Sequence, residues 1–183
     1  SDGSGTTYNF TSYLKKSAPH DWSFGSATTI SWSRKIIGIG AKGNEGVASL
    51  VKRTPGSIGY VEFSFASQIG LPWTTLKNKD GYFVPDMKQI KEKNRENLDK
   101  SFEATVVATL NANEWIKDGQ VTSVSLLDKT GHNVWPISTC SYILLSMNTE
   151  NKEALFNLKE FLKFIWTKEQ AAAASKLNYI PLP

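Results

Sequence analysis

Apolar positions along the first third of the chain fall in short blocks separated by Gly, Pro and polar residues. Phe10, Tyr13 and Leu14 recur at helical spacing and predict a short helix over residues 8–16, closed by Pro19. Thr28 to Trp32 reads as a short strand. Ile36-Ile37-Gly38-Ile39-Gly40 leads into a glycine-rich turn. Gly43-Asn44-Glu45-Gly46 opens a second helix, with Asn44 as the expected N-cap and Val47, Ala48, Leu50 and Val51 as its apolar face. Pro55-Gly56 breaks it. Ile58 to Phe63 is strand-like, and Ser64 to Ile69 forms a short helix. Leu76 to Val84 reads as a hairpin, because Asp80-Gly81 supplies positive φ at a tight turn. Pro85 begins a long helix from Met87 to about Leu110, with a break near Ser101.

The last third is more strongly patterned. Asn133-Val134-Trp135-Pro136-Ile137 precedes the continuous apolar run from Ser141 to Met147, the pattern of a strand buried on both faces. Lys152 to Trp166 is an amphipathic helix carrying Leu155, Leu158, Phe161, Leu162 and Ile165 on one side. Glu169 to Leu177 continues helical, and Tyr179 to Pro183 is extended. Helices mixed with buried strands argue for an α/β fold. Neither an internal repeat nor a long low-complexity linker interrupts the pattern.

Composition narrows the function classes. The 183 residues are 40% hydrophobic, enough to bury a core as one domain or two small lobes. The net charge is +4, but the densest basic run, Lys88 to Lys100, also carries Glu92, Glu96 and Asp99. This is a solvated helix face rather than a nucleic-acid stripe. Cys140 is the single cysteine, so no internal disulfide forms, and its apolar neighbours mark it as a small buried hydrophobe. No apolar stretch reaches the ~18 residues of a membrane helix. The six tryptophans are spread along the chain as core or interface anchors, not as a platform for stacking bases. The chain opens without a methionine on a Gly/Ser-rich loop, which is expected of a truncated or processed protein.

That opening loop, Asp2-Gly3-Ser4-Gly5-Thr6-Thr7, precedes a helix. The leading N–H groups of a helix have no internal acceptors, and the helix dipole adds positive potential there. Glycines let an anion approach the backbone, and Ser4 and Thr6 add hydroxyl donors. Together they form a cradle for a tetrahedral oxyanion. Asp2 would repel such an anion unless it accepts a proton carried by the ligand or orients a neighbouring arginine. The same residues also fit a plain N-capping turn, with Asp2 or Ser4 as the cap. A nucleotide P-loop is excluded, because no GxxxxGK[ST] pattern occurs.

Enzyme signatures are lacking. His20 and His132 have no recognisable metal-ligand or catalytic partners, and neither GxSxG nor HExxH occurs. The expectation is a chain with no catalytic residues, no metal site and no cofactor.

Four blocks, SDGSGTTYNFTSYL, IGIGAKGNEGVASLVKRTPGSIGYVEFSFA, VWPISTCSYILL and LNYIPLP, carry a resemblance. In content and order they resemble the phosphate-specific substrate-binding proteins of bacterial phosphate ABC transporters (the PstS type), across nearly the whole chain. Residues from about Lys88 to Thr130 match least. The resemblance implies a periplasmic-binding-protein type II-like architecture, with two α/β lobes and one phosphate in the cleft between them. It implies that Ser4, Gly5 and Thr6 donate hydrogen bonds to phosphate. It also implies that Asp2 positions an arginine, which in the family motif directly precedes Ser1, and helps exclude fully ionised anions. Residues 1–130 would form a portion of the second lobe, with the phosphate loop, and 131–183 a return segment of the first. Neither lobe would be complete, so the N-terminal half of the protein is expected as a companion chain or omitted segment. A membrane ABC permease is the expected partner and a periplasmic or extracellular site the expected location, with a cell-surface lipoprotein as one form. The competing expectations are a binding protein for another oxyanion, a phosphatase, and a non-binding fragment.

Overall fold

The computed structural model describes residues 3–33, 38–85, 95–110, 116–117, 120–121, 124–143 and 150–181. The chain divides into two compact units, Ser1–Thr139 and Cys140–Pro183. In the first, helix α1 spans Gly5–Ser17, α2 Gly43–Arg53 and α3 Phe63–Gln68. A hairpin follows, with β1 at Leu76–Lys77 and β2 at Phe83–Val84, then α4 at Arg95–Leu110. Strands β3 (Ile116–Lys117) and β4 (Gln120–Val121) form a second hairpin. The second unit holds α5 (Lys152–Ile165) and α6 (Lys168–Lys176). Helix and strand are mixed, and each sheet among the described residues is a two-stranded antiparallel pair.

The first hairpin forms as its turn chemistry dictates. Leu76 pairs with Val84 and Lys77 with Phe83. Gly81 takes φ +90°, a value that strains any residue with a Cβ. Asn78 organises the turn and more. Its side-chain oxygen accepts from the N–H groups of Asp80 (3.2 Å) and Tyr82 (3.0 Å). Its amide nitrogen faces the carbonyls of Gly131 (2.9 Å), His132 (3.3 Å) and Val134 (3.3 Å). Asp80 adds a carboxylate acceptor for the Gly131 N–H at 2.6 Å, and Tyr82 lies against His132. One buried amide therefore ties the hairpin to residues 131–134, so residues 131–139 pack inside the first unit. Val84, Val106, Leu126, Leu127 and Val134 form the apolar core there.

Several elements differ from the sequence expectation. Thr28–Trp32 and Ile58–Glu62 are not strands. A strand needs a ladder, and these backbones bond elsewhere: Thr28 accepts from the Ser4 N–H, and the Glu62 N–H donates to the Asn44 side chain. Asn44 is not the cap of α2. Lys42 holds that position without a side-chain bond, and Asn44 lies inside the helix. Helix α4 runs through Ser101 unbroken, because the Ser101 hydroxyl bonds Asn133 (3.1 Å) and its carbonyl serves Thr105 and Trp135. The start of that long helix at Met87 lies outside the described residues, as do Ile36 and Ile37 of the expected glycine-rich turn.

In the second unit, Asn151 caps α5 by accepting from Ala154 N–H at 2.9 Å, and Thr167 caps α6 through Gln170 N–H at 3.4 Å. Helix α6 ends at Asn178, which takes φ +65°, while the N–H groups of Asn178 and Tyr179 return to Ser175 and Ala174 (each 3.0 Å). This is a Schellman stop with asparagine where glycine is usual. The expected run of a doubly buried strand is not present at Ser141–Ile143, which are exposed and irregular. Such a strand needs cover on both faces, and Tyr142 and Ile143 have neither; residues 144–149 lie outside the described residues. The apolar side of α5 forms as predicted, but no residue of α5 is buried within the unit, and Phe156, Phe161 and Phe164 are each more than half exposed.

Replacing Asn78 tests the clamp. Asn78→Ala leaves two N–H groups and three carbonyls short of a partner at a site only 5% exposed. A loss of about 2–4 kcal/mol of unfolding free energy is expected in urea titration.

Candidate functional site

The first turn of α1 gathers the residues singled out in the sequence. Ser4 is the N-cap: its backbone is extended (φ −134°, ψ 128°) and its hydroxyl oxygen accepts the Thr7 N–H at 3.3 Å. The Ser4 N–H is spent on the Thr28 carbonyl at 2.9 Å. Thr11, fully buried, stitches the same loop to the helix by accepting from Ala27 N–H (3.4 Å) and donating to Thr7 C=O (2.8 Å). Gly5 and Thr6 occupy the first helical positions, where N–H groups have no acceptor within the helix. Gly5 is exposed, and a Cβ built on it meets nothing within 4 Å. The space beside the Gly5 Cα is therefore open.

The capping and anion readings of this loop are compatible in one geometry. A serine hydroxyl has lone pairs and one rotatable proton. Ser4 uses a lone pair on Thr7 N–H, a bond that does not engage its proton.

Two further elements converge on this turn. Thr7 Oγ1 and the Tyr60 hydroxyl are 2.9 Å apart, and the Tyr60 ring stacks on Phe10 with centroids 4.3 Å apart. Tyr60 also neighbours Trp32 (6.1 Å), which meets Trp22 edge-on at 5.9 Å. Gly59 lets this segment lie close on α2, since a Cβ there would come within 2.8 Å of Val51 Cγ2. Thr6 Oγ1 lies 3.3 Å from Glu62 Oε1 and 3.4 Å from Asn44 Nδ2, and Asn44 Oδ1 accepts the Glu62 N–H at 3.2 Å.

The structure thus brings Ser4, Gly5 and Thr6 together; Asp2 lies outside the described residues. Sequence reasoning missed Glu62 and assigned Asn44 to a cap. Both stand in the long block from Ile37 to Ala66, and a carboxylate two residues after a Gly-Tyr pair was the only local sign of Glu62. A shallow groove of about 450 Å³ lies elsewhere, between α2 and α3, lined by Lys42, Glu45, Ser49, Phe65 and Gln68 among others.

Titratable groups with displaced pKa values stand apart from this turn. Burial pushes Tyr13 up, with the Ser17 hydrogen bond opposing and the Asp128 charge adding to it. Burial likewise pushes the half-buried Cys140 thiol up, and Tyr142 is raised by burial and by Cys140. Among the described residues no cluster of three His, Cys, Asp or Glu side chains could hold a metal ion. No helix of the described residues is long and apolar enough to cross a membrane.

Comparison with known proteins adds the following. A family model described as a PBP superfamily domain matches residues 1–111. The "Phosphate-binding protein PstS" of Haemophilus influenzae is 38% identical over 185 residues, covering all of this chain and 49% of that protein. The protein of the same name from Pasteurella multocida is 37% identical, covering all of this chain and 48% of its own length. That of Methanocaldococcus jannaschii is 32% identical, again across the whole chain and 46% of its own length. The chain spans about half the length of the curated relatives it matches.

Two outcomes are expected here. Ser4→Ala removes the α1 cap and lowers stability by about 1 kcal/mol in thermal or urea unfolding. Cys140, with its pKa raised, holds less thiolate at pH 7 than a free cysteine does. Its alkylation by iodoacetamide is expected to be several-fold slower than that of glutathione at pH 7, and to keep rising with pH beyond the usual thiol range.

Proposed function

The chain belongs to the PBP superfamily, and on that premise we propose that it is the phosphate-holding C-terminal half of a binding protein that captures inorganic phosphate for uptake by an ABC transporter. The support is one coincidence: relatives named phosphate-binding proteins align along the whole chain, and its first helix begins at Ser4, Gly5 and Thr6, where the leading N–H groups lack helical acceptors and two hydroxyls stand beside them. The role is binding and release, not catalysis.

In this reading the backbone N–H groups of Gly5 and Thr6 and the hydroxyls of Ser4 and Thr6 take phosphate oxygens. They replace water with donors already held in place by the cap and by the Thr28, Tyr60 and Asn44 bonds. The positive end of α1 adds to the attraction. Asp2 orients the arginine that precedes the loop in the family motif and accepts a proton from the ligand. Sulfate carries no proton near neutral pH, so a desolvated acceptor left unpaired counts against it by about 1–3 kcal/mol.

Residues up to about 139, including the 131–134 segment that Asn78 holds, belong to one lobe rather than ending at 130, and the rest of the chain returns to the other, with the cleft closing around the anion by hinge motion. The N-terminal half of the protein supplies the remaining ligand groups, and the closed form docks on a membrane permease from the periplasmic or extracellular side.

Isothermal titration with phosphate tests the reading, on this chain alone and on the chain joined to the N-terminal half of a relative. Binding is expected in the joined protein. Thr6→Val is expected to weaken it about tenfold or more, the worth of one hydrogen bond to a charged group. A joined, folded protein that binds no phosphate would sink the proposal; one that binds sulfate equally well would assign it to oxyanions in general.

A further inference from the structure

The cradle contains its own carboxylate. Glu62 Oε1 lies 3.3 Å from Thr6 Oγ1, and Thr6 is the donor, because an ionised carboxylate only accepts. A threonine hydroxyl has a single proton. Thr6 therefore cannot serve Glu62 and an incoming oxyanion together. Asn44 sets Thr6 as a donor toward either of them. Its Oδ1 accepts the Glu62 N–H at 3.2 Å, which leaves Nδ2 to donate to Thr6 Oγ1 at 3.4 Å. The amide thus fills a lone pair on Thr6 and directs the hydroxyl proton away from itself, while also fixing the backbone of Glu62. Glu62 is exposed and Thr6 only partly so, which leaves the carboxylate room to yield.

We propose that Glu62 is an internal competitor for the Thr6 hydroxyl, a residue that weakens and tunes anion binding at this site. The inference rests on the assignment of the α1 loop to phosphate. On binding, the Thr6 proton turns from Glu62 Oε1 to a ligand oxygen, and Asn44 Nδ2 keeps its hold on Thr6 Oγ1. No covalent bond changes. The lost Glu62 bond and the repulsion between the carboxylate and the anion both oppose binding. Both are recovered when the anion leaves, so Glu62 acts chiefly on the dissociation rate. A protein that must hand its cargo on gains a faster release from this arrangement.

The test is titration of inorganic phosphate into the protein joined to the N-terminal half of a relative, as wild type, Glu62→Gln and Glu62→Ala. Glu62→Ala, which removes the acceptor, is expected to bind about tenfold tighter, with slower dissociation, and Glu62→Gln, whose amide oxygen still accepts from Thr6, to gain less. A gain in affinity is not what a damaged fold produces. The gain is expected to persist at about 1 M salt, where the Debye length is about 3 Å and only contact-range effects survive. Equal or weaker binding by Glu62→Ala, beside a wild type that binds, overturns the inference and leaves the phosphate assignment standing. A gain that disappears at high salt also overturns it, since general charge repulsion would then suffice. No phosphate binding by any of the three proteins removes the phosphate assignment and the inference together.

Discussion

A helix cannot satisfy its own leading N–H groups, and much of the first unit is arranged around how α1 meets that constraint. Ser4 answers for Thr7 through its side chain and turns its own N–H back to Thr28. Gly5 and Thr6 follow without helical acceptors for their N–H groups, in a turn whose position is held on three sides, by the loop at 27–28, by Tyr60 and by the Asn44–Glu62 pair. An anion site needs donors that are unmet yet immobile. Satisfying all the first-turn groups internally would have removed the donors, and leaving the turn unbraced would have let it fray.

The bracing is mostly polar and local. Short segments without regular strand structure carry it, so small side chains at fixed places matter more than a large apolar core. Asn78 in the hairpin, Thr11 under α1 and Ser101 within α4 all bury polar atoms and satisfy them against backbone or side-chain partners. Each pins a loop to an element at a point where an apolar residue would have left carbonyls or N–H groups unpaired.

Elements specified by neighbours in sequence were legible in advance. The Asp80-Gly81 hairpin, the α1 and α3 helices and the amphipathic α5 follow from turn chemistry and periodicity alone. Segments whose structure depends on distant partners were not. Val-, Ile- and Tyr-rich stretches such as 58–62 have strand propensity, yet here the Glu62 N–H is taken by a side chain on another element. Asn44 looked like a cap because its type and place suit one; its actual role needs Thr6 and Glu62, 38 residues upstream and 18 downstream. The first turn of α1 was visible at Ser4, Gly5 and Thr6, because a Gly/Ser loop before a helix is a local pattern. The carboxylate bonded to Thr6 was not, because nothing near Glu62 in the sequence points to α1.

The aromatic chain beside the site gives the molecule an optical character of its own. Trp22 and Trp32 meet edge-on at 5.9 Å, close enough for their electronic transitions to couple and mark the circular dichroism spectrum. Tyr60 lies 6.1 Å from Trp32 and shares a hydrogen bond with Thr7, so its phenol links the indole pair to the first turn of α1. Thr7, the phenol of Tyr60 and the indole of Trp32 thus follow one another in contact. The first turn of α1 has intrinsic chromophores within two contacts of it, so it can be watched without an attached dye.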